Sequence, residues 1–245
     1  MSDELRFRRV VLKLSGEALQ GNKEYGISPD VCFTLADQIA NVDSMGAQIT
    51  VVVGGGNIYR GLEASKQGIE RASADYMGML ATVMNGLALQ DALENEGLSP
   101  RLFSAIEMSG VAEAFNRRKA LAHLEQGGVT IAVAGTGSPY FTTDTAAALR
   151  ALEIGAEAIL KATKVDGVYD KDPEQHDDAQ RYEKLTFLDV INRNLQIMDH
   201  TATSLCMEND LPIIVFDIKK KGNICKVLQG EPIGTLINGG DQDVR

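Results

Sequence analysis

The sequence predicts an α/β fold: an open, mainly parallel sheet sandwiched by helices. Three observations carry that expectation. Apolar runs of strand length alternate with longer helix-like segments along the chain. Glycine-rich loops directly follow several of those runs, as in VVVGGG at 51–56 and AVAGTG at 132–137. Strands separated by helices imply right-handed crossovers, which cover a parallel sheet on both faces. The 245 residues are 44% hydrophobic and 24% charged with no tryptophan, a composition that suits a globular protein with a substantial core. They read as one domain over 1–245, ordered over about 9–237, with a frayed tail at 241–245.

Val10–Leu14 is the first strand, followed by a loop punctuated by Gly16, Gly21 and Gly26. Ser28 and Pro29 then open a helix, as N-cap and first helical residue, and Gly46 ends it. Gln48–Val53 is the second strand. A long helix spans about Ala72–Asn95. Met79, Leu80, Val83, Met84 and Leu87 recur there at helical spacing, and Met77, Leu89 and Leu93 widen the apolar face. Next come a strand near Arg101–Ser104, a helix over Arg117–Gln126 and a buried strand over Val129–Ala134. The following helix, Thr143–Ile154, is capped by Thr143 or Asp144, and Ala156–Lys161 is strand-like. The acidic stretch 174–184 reads as a solvated loop. Phe187–Asn194 and Thr201–Asn209 read as helices, and Pro212–Phe216 and Gly234–Ile237 as strands.

A net charge of −10 removes the basic field that non-specific nucleic-acid binding requires, so any phosphate site must be local. Apolar runs stop at strand length, which argues against a membrane-spanning helix, and no secretory signal is apparent at the N-terminus. Cys32, Cys206 and Cys225 form no CxxC pair, pointing to reduced thiols in the cytoplasm and away from structural zinc. None of His123, His176 and His200 has a metal-binding partner one turn on.

The glycine loops fit neither familiar phosphate template. A GxGxxG match from Gly54 fails at Tyr59, and GNKEYGIS (21–28) has Ile27 where a P-loop needs lysine. No GxSxG nucleophile elbow is present. Four strand-end loops remain. In KLSGEA (13–18), Lys13 either meets a phosphate beside the Ser15 and Gly16 amides or snorkels from the strand end. In GGGNIYRG (54–61), bare backbone either allows close approach of an anion that Arg60 can grip or forms a flexible turn with a surface arginine. In AGTGSPYFTTDTAA (134–147), hydroxyls and a helix N-terminus favour phosphate or ribose. In KATKVDGVYDKDP (161–173), the aspartates lack EF-hand spacing, and Tyr169 packs on a base or on the core.

These loops, together with DYMGMLATVMNGLALQDAL (75–93), resemble in order and spacing the bacterial UMP kinases of the amino acid kinase family. The resemblance runs from about Arg9 to Ile237. It implies transfer of the ATP γ-phosphoryl group to UMP, giving UDP and ADP, with Mg²⁺ held through the ATP phosphates and no protein metal site. It implies catalytic roles for Lys13, Arg60 and Asp144, the last orienting the phosphate-binding lysines, with Lys161 as a further cation. ATP contacts would come from Lys13, Leu14, Ser15, Gly16, Gly56, Arg60, Thr163, Tyr169 and Asp172. UMP contacts would come from Gly55, Asp75 (to the ribose), Thr136, Gly137, Ser138, Pro139, Tyr140, Phe141, Thr142 and Thr143. The segment around Met198 reads QIMDHTA, as in UMP kinases, where acetylglutamate kinases carry a nearby lysine.

The family is commonly hexameric and inhibited by UTP, and the long helix would then serve as a contact between copies. Gly21, Asn22, Lys23, Glu24, Tyr25 and Gly26 match a loop linked to GTP activation. Gln90, Glu94 and Gly128 stand where some GTP-responsive relatives carry Arg or His, which leaves that response open. The alternatives are a phosphotransferase of the same fold acting on a carboxylate or carbamate, and a non-catalytic uridine-nucleotide sensor.

Overall fold

The structure, a computed structural model, describes residues 5–173 and 175–240. The expected tail at 241–245 lies outside the described residues. The elements run β1 (Arg9–Leu14), α1 (Pro29–Asp43), β2 (Gln48–Val53), α2 (Gly61–Lys66), α3 (Arg71–Asn95), β3 (Pro100–Ser104), β4 (Glu113–Ala114) and α4 (Arg117–Glu125). They continue β5 (Val129–Val133), α5 (Thr143–Ile154), β6 (Ala158–Thr163), β7 (Val168–Tyr169), β8 (Arg181–Tyr182), β9 (Lys184–Thr186) and α6 (Phe187–Asn192). The last are α7 (His200–Glu208), β10 (Ile213–Asp217), α8 (Asn223–Leu228) and β11 (Thr235–Asn238).

Nine strands form one sheet in the order β4-β3-β5-β2-β1-β6-β10-β11-β9, in which only the β10–β11 pair is antiparallel. The expected open, mainly parallel sheet between helices is therefore observed. Its central strands are apolar on both sides, and each face carries its own core. Val10, Leu12 and Leu14 join residues of α1, α3 and α8 on one face. Val11 and Ile159 join residues of α4, α5, α6 and α7 on the other. The chain leaves β1 towards β2 on one side and returns to its other side as β6. Such a reversal opens a crevice at the carboxyl ends of the strands, where ligands bind in open α/β sheets.

Several boundaries differ from the sequence reading for local reasons. β5 stops at Val133 because Ala134 adopts φ +61°, outside the strand region. β6 starts two residues later than expected, at Ala158, after Gly155 caps α5 in the left-handed conformation. Thr142, not Thr143 or Asp144, caps α5, accepting from the Asp144 and Thr145 amides. Ser28 occupies the N-cap of α1 without a side-chain hydrogen bond. Part of the stretch read as a solvated loop is strand: β8 pairs with β7, and β9 starts at Lys184.

The long helix departs most in its burial. Met79, Val83, Leu89 and Leu93 enter the core as expected. Leu80, Met84 and Leu87 do not: together with Tyr76 and Met77 they are exposed, so α3 carries an outer apolar stripe.

Candidate active site

Lys13 and Lys161 meet because β1 and β6 are parallel neighbours in which these two residues are register partners. Partners in a parallel pair project to the same face, so both ammonium groups rise on the α5 side of the sheet. There the N-terminus of α5 delivers Asp144 between them. One carboxylate oxygen lies 2.7 Å from Lys13 Nζ and the other 2.9 Å from Lys161 Nζ. All three side chains are largely buried, exposing 10%, 13% and 15% of their surface for Lys13, Lys161 and Asp144. Lys161 Nζ also donates to the Ile197 carbonyl, which joins the 194–199 segment to the site.

Burial alone would raise the pKa of Asp144, but Lys13 and Lys161 outweigh it and hold the carboxyl below the usual carboxylate range. For Lys161, burial and then repulsion from Lys13 lower the ammonium pKa despite the attraction of Asp144. The cluster thus holds two cations and one anion in a poorly solvated place, a net positive charge suited to an anionic group. Asp199 supports it from the side: its carboxylate accepts from the Thr142 and Thr145 hydroxyls and from the Ala202 amide. This ties α7 to the start of α5. Two cavities flank the cluster. One of about 440 Å³ is lined by Asp144, Lys161 and residues 194–200. The other, of about 540 Å³, is lined by Lys161, Thr163, Tyr169 and Asp172, with 193–197 across from them.

The glycine loop lies against the turn after β1. A Cβ on Gly16 would stand 2.7 Å from the Gly56 amide nitrogen and 2.8 Å from the Gly54 carbonyl oxygen, so no larger residue fits there. A Cβ on Gly55 would stand 2.7 Å from the Gly78 carbonyl oxygen of α3. The backbone of 54–56 is thereby pinned between the β1 turn and the long helix.

Asp75, the fifth residue of α3, receives the Tyr140 amide at 2.8 Å and Arg71 Nε at 2.8 Å. The loop after β5 is therefore folded back over the start of α3, with the Arg71 guanidinium 5.6 Å from the Tyr140 ring centre. Tyr140 (φ +74°) and Ala134 (φ +61°) adopt left-handed backbone, which costs a residue with a Cβ about 1–2 kcal/mol. Thr82 holds that loop at its other end, accepting from the Ala134 amide at 2.7 Å.

The remaining expected residues are spread around the cluster. Leu14 ends β1 and Ser15 opens the turn beyond it, while Thr163 ends β6, its hydroxyl donating to the Val165 carbonyl at 2.7 Å. Tyr169 donates to Asp166 at 2.6 Å, and Gln175 donates to Asp172 at 2.7 Å. Thr136, Gly137, Ser138, Pro139 and Phe141 lie in the loop between β5 and α5, and Thr143 is the first residue of α5. Arg60 is more peripheral: its half-exposed side chain pairs with Glu17 and Glu63. Glu17 also pairs with Lys164, which leads the influences holding its carboxyl below the ordinary value. In the loop 21–26, Tyr25 is exposed and the Gly26 amide donates to the Asn57 carbonyl at 2.7 Å.

The sequence reading did not single out Thr82, Asn85, Asn57 or Asp199. Each acts through contacts far along the chain, and only Asp199, ahead of the helix-like 201–209, carries a local cap signal.

The comparisons with known proteins agree with this geometry. A family model described as the amino acid kinase family matches residues 8–217. A solved UMP kinase from Bacillus anthracis is 36% identical, with 96% of this chain and 97% of that chain covered and a TM-score of 0.92. A UMP kinase from Ureaplasma parvum is 39% identical over 96% and 100% of the two chains, with a TM-score of 0.89. A uridylate kinase from Archaeoglobus fulgidus is 28% identical over 93% and 99%, with a TM-score of 0.71. With the sheet order, the strand-end lysine pair and a match over most of its length in agreement, the chain belongs to the amino acid kinase family.

Proposed function

We propose that this protein is a UMP kinase, transferring the γ-phosphoryl group of ATP to UMP. The observation that carries the chemistry is the Lys13–Asp144–Lys161 cluster at the crevice of the sheet. A phosphate oxygen of UMP forms the new bond to the γ-phosphorus while the bond to the β–γ bridging oxygen breaks, leaving ADP. The acceptor phosphate is already an anion, so no protein base is required, and the work lies in positioning and charge neutralisation.

Lys13 and Lys161 neutralise the transferring group, and Asp144 keeps both ammoniums charged and aimed. Gly55, Asp75 and the 136–143 loop hold UMP. Leu14, Ser15, Gly16, Gly56, Arg60, Thr163, Tyr169 and Asp172 hold ATP. Asp75 accepts both the Tyr140 amide and Arg71 at Oδ2, so a ribose hydroxyl of UMP donates to its other oxygen, Oδ1. Among the described residues no cluster of three His, Cys, Asp or Glu side chains is placed to hold a metal ion. Mg²⁺ is expected to be carried on ATP phosphates and waters, the oxygen ligands it prefers in phosphoryl-transfer sites. When bound, the ion supplies further neutralisation of the phosphates.

The biological reading follows the family: a cytoplasmic enzyme of pyrimidine nucleotide synthesis, homohexameric, inhibited by UTP, with GTP as a candidate activator through the 21–26 loop. The apolar stripe on α3 supports self-association, because a contiguous apolar face is covered in most stable proteins. No helix among the described residues is long and apolar enough to cross a membrane.

An ADP-release assay with Mg-ATP and UMP, CMP, glutamate or carbamate tests the activity. Turnover is expected with UMP. Turnover on an acid but not on UMP supports the carboxylate or carbamate reading, and nucleotide binding without turnover supports a sensor.

A further inference from the structure

Asn57 and Asn85 form a buried amide pair that no role described so far uses. Asn85, in the middle of α3, is 0% exposed, and Asn57, just after the three glycines, is 3% exposed. Each amide donates to the other: Asn57 Nδ2 to Asn85 Oδ1 at 3.0 Å and Asn85 Nδ2 to Asn57 Oδ1 at 2.7 Å. Their second protons reach outward. Asn85 Nδ2 donates to the Gly54 carbonyl at 2.7 Å, and Asn57 Nδ2 donates to the Gly26 carbonyl at 2.8 Å. The Gly26 amide returns a bond to the Asn57 carbonyl. On its remaining side Asn57 packs against the β1 turn, where a Cβ on Gly16 would lie 2.4 Å from Asn57 Oδ1.

One side-chain pair thus joins four segments distant in sequence: the turn after Lys13, the glycine loop, the end of the 21–26 loop, and α3. Both amides spend all four of their protons inside the protein, so neither has donor capacity left for a substrate. A fully satisfied buried network specifies one arrangement, and losing a member leaves its partners unpaired.

We infer that Asn57 and Asn85 are positioning residues for phosphoryl transfer, a latch fixing the glycine loop relative to α3 and the Lys13 turn. The inference rests on the kinase reading for its rate effect but not for its structural effect. α3 carries Asp75 at one end, Thr82 near its middle and Asn85 one turn further on. Through the latch, the acceptor-side contacts and the glycine loop share one rigid reference. Without it each nucleotide still finds its contacts, but the reacting oxygens lose their alignment.

The test is Asn85→Ala, Asn57→Ala and the double variant, each assayed where the folded fraction is complete by circular dichroism. In Asn85→Ala, kcat is expected to fall at least ~10-fold while KM for UMP changes less than ~3-fold, the pattern of lost alignment rather than lost binding. The double variant is expected to lose less than the product of the two single losses, because both deletions break the shared amide pair. Hydrogen exchange at the Gly26 amide should accelerate in folded Asn85→Ala, a readout independent of any substrate. A kcat within about twofold of the parent protein, additive effects, or unchanged Gly26 protection would each overturn the latch. If the parent itself fails to phosphorylate UMP, the kinase reading falls, and Gly26 exchange alone decides this inference.

Discussion

Replacing Asp144 by asparagine keeps the side-chain shape and deletes the charge between two buried ammonium groups. At 2.7 and 2.9 Å, and with an effective dielectric of about 20, each lost attraction is worth about 6 kcal/mol before desolvation is counted. Desolvation already opposes the parent cluster, so the net loss for breaking a buried pair is about 3–5 kcal/mol. At about 2–4 °C per kcal/mol for a chain of this size, Tm should fall by roughly 6–20 °C. The deficit should depend on pH in a stated direction. The folded pKa of Asp144 is lowered, so its stabilisation is present above the unfolded carboxylate value and is lost as pH falls through the folded value. The variant has no such carboxylate to protonate. The Tm gap between parent and variant should therefore be fully open near neutrality and narrow only as pH falls below the ordinary Asp value of about 4.

Catalysis should suffer alongside folding. Two ammoniums without their shared anion repel, one tends to lose its proton, and the charge offered to the transferring group drops. A loss of about 10²–10³-fold in kcat is expected, comparable to removing one preorganised donor from a transition-state site. Calorimetric melts from about pH 2 to 8, paired with the ADP-release assay on folded protein, measure both effects. A variant with kcat within threefold of the parent's, or a Tm gap that widens into acid, would refute the cluster as an electrostatic device.

Other expectations follow from individual contacts. Asp75→Asn should raise KM for UMP with a smaller effect on kcat, and unchanged UMP affinity by calorimetry would argue that Asp75 only braces Tyr140. Gly55→Ala drives a Cβ to 2.7 Å from the Gly78 carbonyl, so it should displace the glycine loop and depress kcat/KM for UMP, as steady-state kinetics will show. Cys206, whose thiol burial pushes up to about 12, should resist a thiol reagent at pH 8 until the protein unfolds, whereas half-buried Cys225 should react sooner. Arg60→Ala should weaken ATP binding more than it lowers Tm, since its pairs with Glu17 and Glu63 are exposed and contribute little.

The sequence by itself determined the layer architecture. Strand-length apolar runs such as VVLKL and ITVVV, alternating with helix-length segments, leave few other ways to cover both faces of a sheet. It also marked Lys13 and the glycine loop of the candidate site, because bare glycine backbone and a lysine in an apolar strand are local departures from what folding requires. What it could not carry were relations between distant residues. Lys161 read only as a further cation until the β1–β6 register put it beside Lys13, 148 residues away in the chain. The apolar positions of α3 repeat with helical period all round the helix, so period alone could not say that Leu80, Met84 and Leu87 face outward. Asn57 and Asn85 carried no signal, since an asparagine looks the same in a sequence whether water or another amide satisfies it. Hydrophobic period and backbone freedom are properties of neighbouring residues. Register, facing and the pairing of buried polar groups exist only once the chain has packed.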